Sequence, residues 1–199
     1  MKKIYNWAAQ PANTTLTVDD LKKAKGKKKF TQVTANTIDE AEAAEKAGFD
    51  MIICNAFNVK QVREGSKNLF LTAALVLNKF VTSDDIMRGA FEALENGADA
   101  VMTPRSMKIV EMLANEDVPV MGHLGLLPQS VRGKFKSKGK IKSEKKQLLK
   151  DSKLLEELGV FAIVLECIET STAKLITKSI KIPTIGIGSS VFCDGQVLV

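Results

Sequence analysis

The chain has 199 residues, of which 45% are hydrophobic and 26% are charged, with 13 Gly and 5 Pro. This composition excludes a collagen-like, low-complexity or disulfide-stabilised protein and indicates a folded globular chain. We find no apolar run long enough to cross a bilayer and no secretory signal, so we expect a soluble, cytoplasmic protein without a membrane partner. The three cysteines are widely spaced and odd in number, which indicates neither a disulfide framework nor a zinc site.

The net charge of +6 arises in one stretch of the chain, because residues 132–153 carry ten basic and two acidic side chains. A solvated lysine-rich surface is the simplest interpretation of this basic run, and a local anion site is the second. Binding along a nucleic acid is the least favoured, since Phe135 is the only aromatic residue among these lysines.

Eight short apolar runs alternate with amphipathic segments along the chain. Most runs are continuously apolar, which is typical of strands buried on both faces of a parallel sheet. Predicted strands cover residues 30–35, 51–55, 69–75, 98–103, 118–124, 162–167, 184–188 and 196–199. Predicted helices cover residues 37–47, 58–65, 83–96, 106–115, 143–159 and 170–179. Thr37 and Glu40 have capping-box spacing, and Gly48, Gly97 and Gly159 each end a helix before a strand.

The repeated strand–helix unit predicts an α/β fold, a (β/α)₈ TIM barrel formed by residues 1–199 as one domain. An open doubly wound sheet is the alternative, but no G-x-G-x-x-G follows the first strand. The eighth strand ends the sequence, so the eighth helix is expected to be absent. A neighbouring subunit or the segment from Ile4 to Leu21 would take its place, and the uncovered apolar surface predicts a homo-oligomer.

In such a barrel the active groups lie at the carboxyl ends of the strands. Glu166 closes an apolar strand, where a desolvated carboxylate is suited to act as a general base. His123 is the only histidine and also lies at a strand end, where it can donate to a carbonyl or carry a proton. Either residue can also be purely structural. The segment from Gly186 to Ser190 offers backbone N–H groups and the hydroxyls of Ser189 and Ser190 as an anion-binding cradle.

Three motifs in the second half resemble one enzyme family. They are Pro119-Val120-Met121-Gly122-His123-Leu124-Gly125-Leu126-Leu127-Pro128-Gln129-Ser130-Val131, Ala162-Ile163-Val164-Leu165-Glu166-Cys167, and Ile182-Pro183-Thr184-Ile185-Gly186-Ile187-Gly188 with Cys193-Asp194-Gly195-Gln196-Val197-Leu198-Val199. Together they are similar to the ketopantoate hydroxymethyltransferases.

The resemblance implies a barrel of the phosphoenolpyruvate mutase and isocitrate lyase type. It also implies transfer of a hydroxymethyl group from 5,10-methylenetetrahydrofolate to 3-methyl-2-oxobutanoate in pantothenate biosynthesis, with Mg²⁺ polarising the oxo acid. By the same resemblance Glu166 assists removal of the C3 proton, and His123 matches a family histidine.

The sequence departs from the family where the metal would bind. The family's Asp-Ser pair is Asn55-Ala56 in this chain, its third-strand aspartate is Ala74, and its Lys-Leu-Glu is Met102-Thr103-Pro104. Mg²⁺ prefers oxygen ligands that include carboxylates, so we predict no metal site here. Asn55 and Ala56 are still predicted to contact substrate, and Arg105 is predicted to supply positive charge in place of the metal.

Three functions are therefore considered. The first, which the motifs favour, is a divergent ketopantoate hydroxymethyltransferase with Glu166 as base. Because the metal ligands are replaced, we expect its activity to be weak or absent. The second is a metal-independent enzyme that acts on another small oxo acid. The third is a non-catalytic relative that binds a ligand or takes part in assembly.

Overall fold

A computed structural model describes residues 1–199, in which eight parallel strands form a closed barrel. The barrel strands are β3 (Phe30–Thr34), β4 (Met51–Asn55), β5 (Phe70–Ala74), β6 (Ala100–Met102), β7 (Val120–Gly125), β8 (Ala162–Glu166), β9 (Thr184–Ile187) and β10 (Gly195–Leu198). They pair in chain order, and β10 closes the ring on β3. The predicted TIM barrel is confirmed, and the open sheet is excluded.

Six helices follow the barrel strands, and one precedes them. Helix α1 (Val18–Lys23) comes before β3 and follows an antiparallel hairpin of β1 (Lys2–Tyr5) and β2 (Pro11–Thr14). The others are α2 (Ile38–Lys46), α3 (Val59–Gly65), α4 (Ser83–Glu95), α5 (Met107–Asn115), α6 (Lys142–Glu157) and α7 (Thr170–Ser179). None of them combines the length and the apolar character needed to cross a membrane.

The helix ends follow the sequence signals closely. Thr37 accepts a hydrogen bond from the Glu40 backbone N–H, and the Glu40 carboxylate accepts one from the Thr37 backbone N–H, which completes the predicted capping box. Gly48, Gly97 and Gly159 leave their helices at φ of 76°, 105° and 90°, a region in which glycine is favoured.

Two of these helix exits continue into an aspartate that anchors the preceding strand. Asp50 accepts from the backbone N–H of Thr31 at 2.9 Å, and Asp99 accepts from that of Leu71 at 2.8 Å. The Gly-x-Asp pattern therefore joins each helix exit to the amino end of the neighbouring strand.

Two apolar layers hold the barrel together, one on each side of its wall. The larger lies between the outward-facing strand residues and the helices, and the smaller fills the barrel interior. Alternate residues along each strand enter opposite layers, which explains why the strand sequences are continuously apolar.

The N-terminal segment closes the bottom of the barrel. Leu21 of α1 is 1% exposed and belongs to the interior cluster with Phe30 and Phe70, while Trp7 of the hairpin packs edge-on against Phe91 of α4. The prediction that the segment from Ile4 to Leu21 substitutes for an eighth helix is wrong, because Leu21 fills the interior instead. No helix follows β10 among the described residues.

Candidate active site

The carboxyl ends of the barrel strands surround a cavity of about 410 Å³. Its polar lining consists of Gln32, Thr34, Asn36, Asn55, His123, Gln129 and Glu166. Its other lining residues include Ile53, Ala74, Leu75, Val76, Leu77, Met102, Pro104, Pro128, Phe135, Val164, Ile187 and Val197. A largely apolar cavity with a few converging polar groups is the usual form of a small-molecule site.

His123 and Glu166 form the one pair of ionisable groups in contact within this cavity. The two residues end neighbouring strands, and His123 Nε2 lies 3.0 Å from Glu166 Oε2. Their side chains are 6% and 15% exposed, respectively. His123 Nδ1 is buried without a partner. The structure thus brings the two predicted catalytic residues together, and both line the cavity.

The backbone directly after Glu166 has an unusual conformation. Cys167 has a φ of 48°, a region that residues other than glycine seldom occupy. Its N–H donates to the Ile187 carbonyl at 2.8 Å, and its carbonyl accepts from the Lys138 N–H at 2.8 Å. These bonds hold the strained turn in place and fix the direction in which Glu166 leaves the strand.

Asn55 and Gln129 both line the mouth of the cavity, Gln129 from the loop after β7. Neither side-chain amide makes a hydrogen bond within the protein, and only their backbone groups do. Asn36 is held more firmly, because its Oδ1 accepts from the Asn55 backbone N–H at 2.8 Å and from Asn58 Nδ2 at 3.0 Å. The cavity therefore presents neutral amides near the His123–Glu166 pair.

The other predicted substrate-binding residues have structural partners outside the cavity. Arg105 donates from Nη2 to the carbonyls of Leu77 and Phe80, which holds the loop after β5. Ser189 Oγ donates to the Leu165 carbonyl at 2.6 Å and accepts from the Ile168 N–H at 2.9 Å.

Ser190 and Ala56 also lie apart from the cavity. Ser190 Oγ accepts from the Phe192 N–H at 3.1 Å. Ala56 is 7% exposed and lines a separate depression beside Phe57 and Phe80.

The residues at the mouth do not fit Mg²⁺. Asn55 offers one neutral oxygen, Ala74 and Pro104 offer no side-chain donor, and Glu166 is the only carboxylate that lines the cavity. No group of three or more His, Cys, Asp or Glu side chains in the structure is arranged to hold a metal ion. The oxygen-rich set that this ion requires is therefore not formed by this chain.

The basic run reaches the rim of the cavity through Phe135. This side chain lines the cavity although it is 64% exposed. The run is attached to the barrel at Lys138 and Gly139, whose carbonyls accept from the Glu169 N–H and from Thr172 Oγ1, each at 2.8 Å. No Lys or Arg side chain lines the cavity itself.

Gln32 is a cavity residue that the motif analysis did not select. It lies two residues after Phe30 on β3, so strand alternation turns both side chains inward. The sequence signal that could have identified Gln32 is a polar residue at an inward-facing position of a buried strand. It is absent from the motifs because those lie in the second half of the chain.

Comparison with solved structures defines the class of protein. A 2,3-dimethylmalate lyase of the PEP mutase/isocitrate lyase superfamily superposes with a TM-score of 0.69 and 10% identity, covering 92% of this chain and 81% of that one. A phosphonopyruvate hydrolase solved with oxalate and Mg²⁺ gives 0.63 and 15%, covering 86% and 72%. These similarities show the fold alone, so the class that they define is the (β/α)₈ barrel.

Sequence comparison is more specific. The ketopantoate hydroxymethyltransferase model matches residues 55–199. A 3-methyl-2-oxobutanoate hydroxymethyltransferase of Pelagibacter ubique is 45% identical over 161 residues, which are 79% of this chain and 61% of that protein. One from Thermosipho africanus is 36% identical over 211 aligned positions, covering 92% and 80%. The chain belongs to the ketopantoate hydroxymethyltransferase family, although the Pelagibacter match spans less than two thirds of that relative.

Proposed function

We propose that this chain removes the C3 proton of a small branched 2-oxo acid, the first half of a hydroxymethyl transfer, with Glu166 as the base. The observation that carries the proposal is the 3.0 Å contact between His123 Nε2 and Glu166 Oε2 inside the mouth cavity. Family membership supports the substrate, since the curated relatives are named for 3-methyl-2-oxobutanoate.

The two side chains have complementary tasks in this step. The N–H at His123 Nε2 donates to one oxygen of Glu166, which orients the carboxylate and leaves its other oxygen free to accept the C3 proton. The oxo acid then carries an enolate, whose oxygen needs hydrogen-bond donors. The free side-chain amide of Asn55 at the same mouth can supply one.

The second half of the reaction needs a one-carbon donor. By family membership this is 5,10-methylenetetrahydrofolate, and the apolar rim formed by Leu75, Leu77, Pro128 and Phe135 offers it a surface against which an aromatic ring can pack. The absence of fitting carboxylates at the mouth supports a step without Mg²⁺, with hydrogen bonds replacing the ion. Such a replacement predicts slow turnover, because a metal stabilises an enolate more strongly than a neutral amide does.

Proton–deuterium exchange at C3 of 3-methyl-2-oxobutanoate in D₂O, followed by NMR, tests the proposal. We expect the native protein to catalyse exchange and Glu166→Gln to reduce the rate by about 10²–10⁴-fold, the usual range for loss of a general base. Glu157→Gln removes an exposed carboxylate without a hydrogen-bond partner and should leave the rate unchanged. Added Mg²⁺ should change the native rate less than twofold.

The outcomes are distinct. Equal exchange in native protein and Glu166→Gln would remove Glu166 from the mechanism. Strong Mg²⁺ dependence would show that the ion is held despite the replaced ligands. Binding of the oxo acid without exchange would favour the second candidate, a non-catalytic ligand-binding relative, which the missing Mg²⁺ ligands also support.

We also propose that the protein works in the cytoplasm as a homo-oligomer. The segment between β9 and β10 exposes two neighbouring apolar side chains, Val191 at 78% and Phe192 at 43%. Such a patch is typical of a surface that another subunit covers.

A further inference from the structure

Gln32 occupies a layer of side chains inside the barrel, below the cavity. The strand register places four inward-facing residues of alternate strands in this layer, namely Gln32, Thr72, Met121 and Ile185. Thr34 lies one inward-facing position nearer the mouth on the same strand. Among the four, Gln32 alone lines the cavity, so its side chain forms part of the cavity floor.

The side-chain amide of Gln32 has no hydrogen-bond partner in the protein. The residue is 0% exposed, and neither Nε2 nor Oε1 makes a hydrogen bond. A buried polar group without a partner destabilises the folded state, and almost all such groups in native proteins are paired. Met121 and Ile185 show that apolar side chains fill the same layer, so packing alone does not require an amide here.

A ligand in the cavity would supply the missing partner. No Lys or Arg lines the cavity, so the carboxylate of a bound oxo acid must be met by neutral donors. The two N–H groups on Nε2 are such donors, and the strand register places Gln32 deeper in the barrel than Glu166. An oxo acid whose carboxylate points to Gln32 at the cavity floor would direct its branched C3 end toward the His123–Glu166 pair.

We propose that Gln32 binds the carboxylate of the small oxo acid at the floor of the barrel and thereby sets the orientation in which C3 meets Glu166. The inference rests on the proposed function for the identity of the ligand. It assigns to a neutral amide the anchoring of the acid group, for which this cavity contains no cation and no fitting metal site.

A comparison of two ligands and two variants tests this assignment. The ligands are 3-methyl-2-oxobutanoate and 3-methylbutan-2-one, which has a methyl group in place of the carboxylate. The variants are Gln32→Met, which removes the amide at similar volume, and Thr72→Val. Thr72 is the matched control, since its hydroxyl is also 0% exposed and unpaired in the same layer but does not line the cavity.

We expect Gln32→Met to raise the dissociation constant of the oxo acid about tenfold and that of the ketone less than twofold, as measured by NMR titration. The same variant should raise the melting temperature by about 2–4 °C, because it removes an unpaired buried amide. Thr72→Val should not lower the melting temperature, and both dissociation constants should stay within twofold of native.

The remaining outcomes would overturn the inference. These are equal losses for both ligands, unchanged binding of the acid, no binding of the acid by native protein, or a Gln32→Met variant that is less stable than native or does not fold. Binding that depends on Gln32 without exchange that depends on Glu166 would instead contradict only the proposed proton transfer. The two proposals therefore fail in different measurements.

Discussion

Glu166 and Cys167 share one electrostatic environment at the mouth of the barrel. Burial raises the pKa of the Cys167 thiol, and the negative charge of Glu166 raises that pKa further. Burial raises the pKa of the Cys54 thiol to about 12, although the positive charge of Arg63 acts to lower it. Cys167 is half-buried, whereas Cys54 and Cys193 are 1% and 0% exposed. The reactivity of Cys167 therefore reports the charge of the proposed base.

Alkylation of Cys167 by iodoacetamide at pH 8 should become severalfold faster in Glu166→Gln. Removing the carboxylate lowers the thiol pKa, so a larger fraction is thiolate at this pH. Mass spectrometry after a timed reaction measures each cysteine separately, and Cys54 and Cys193 should stay unmodified in the native fold. Glu157→Gln is the control. An unchanged rate in Glu166→Gln would contradict the proposed effect of the Glu166 carboxylate on the Cys167 thiol.

At the scale of elements, the site depends on the close approach of β7 and β8. Gly125 ends β7 at a φ of 104°, and a Cβ there would overlap the carbonyl oxygen of Glu166. The next residue, Leu126, donates its N–H to that same oxygen at 2.9 Å. The absence of a side chain at Gly125 therefore allows the two strands to meet where His123 and Glu166 interact.

Gly125→Ala should destabilise the protein by about 2–4 kcal/mol, since it adds the strain of a positive φ and a steric overlap. Gly48→Ala is the matched control, because its φ is 76° but its Cβ would meet no atom within 4 Å. It should cost about 1 kcal/mol. Urea unfolding of both variants measures the difference. Equal losses would show that strand approach at Gly125 is not limited by the missing side chain.

At the scale of the whole molecule, a buried aspartate connects the N-terminal segment to the last two strands of the barrel. Asp194 is 3% exposed. It accepts from Lys25 Nζ at 2.7 Å, from the Gly26 N–H at 3.0 Å and from the Thr184 N–H at 2.9 Å. These bonds connect the segment after α1 to β9 and to the start of β10, where the ring of strands closes.

Asp194→Asn should lower the free energy of unfolding by about 3–5 kcal/mol, because it removes a buried carboxylate that pairs with the half-buried Lys25 ammonium and replaces one acceptor oxygen with an NH₂ group. The exposed Glu42–Lys46 pair on α2 provides the comparison, and Glu42→Gln should change stability by at most about 0.5 kcal/mol. Urea denaturation followed by circular dichroism measures both. A loss below 1 kcal/mol for Asp194→Asn would contradict a closing role for this residue.

The barrel was predictable because its signals are local. Each strand shows as an apolar run, each helix by its periodicity, and the helix ends by Thr37, Gly48 and Gly97, all within a few residues of sequence. The position of the N-terminal segment was not predictable in this way. Leu21 of α1 packs against Phe30 and Phe70 in the barrel interior. That interior exists only once the barrel has closed, so no local pattern in the sequence shows where α1 packs.

The sequence by itself determined the family, the parallel α/β barrel and the two ionisable residues that meet at its mouth, since His123 and Glu166 lie in motifs at strand ends. The tertiary structure decided which other polar side chains reach the cavity. Backbone carbonyls distant in sequence from Arg105 and Ser189 bind those side chains, whereas Gln32 is left unpaired at the floor. Hydrogen-bond partners depend on how strands and loops converge in space, and strand sequences do not specify that convergence.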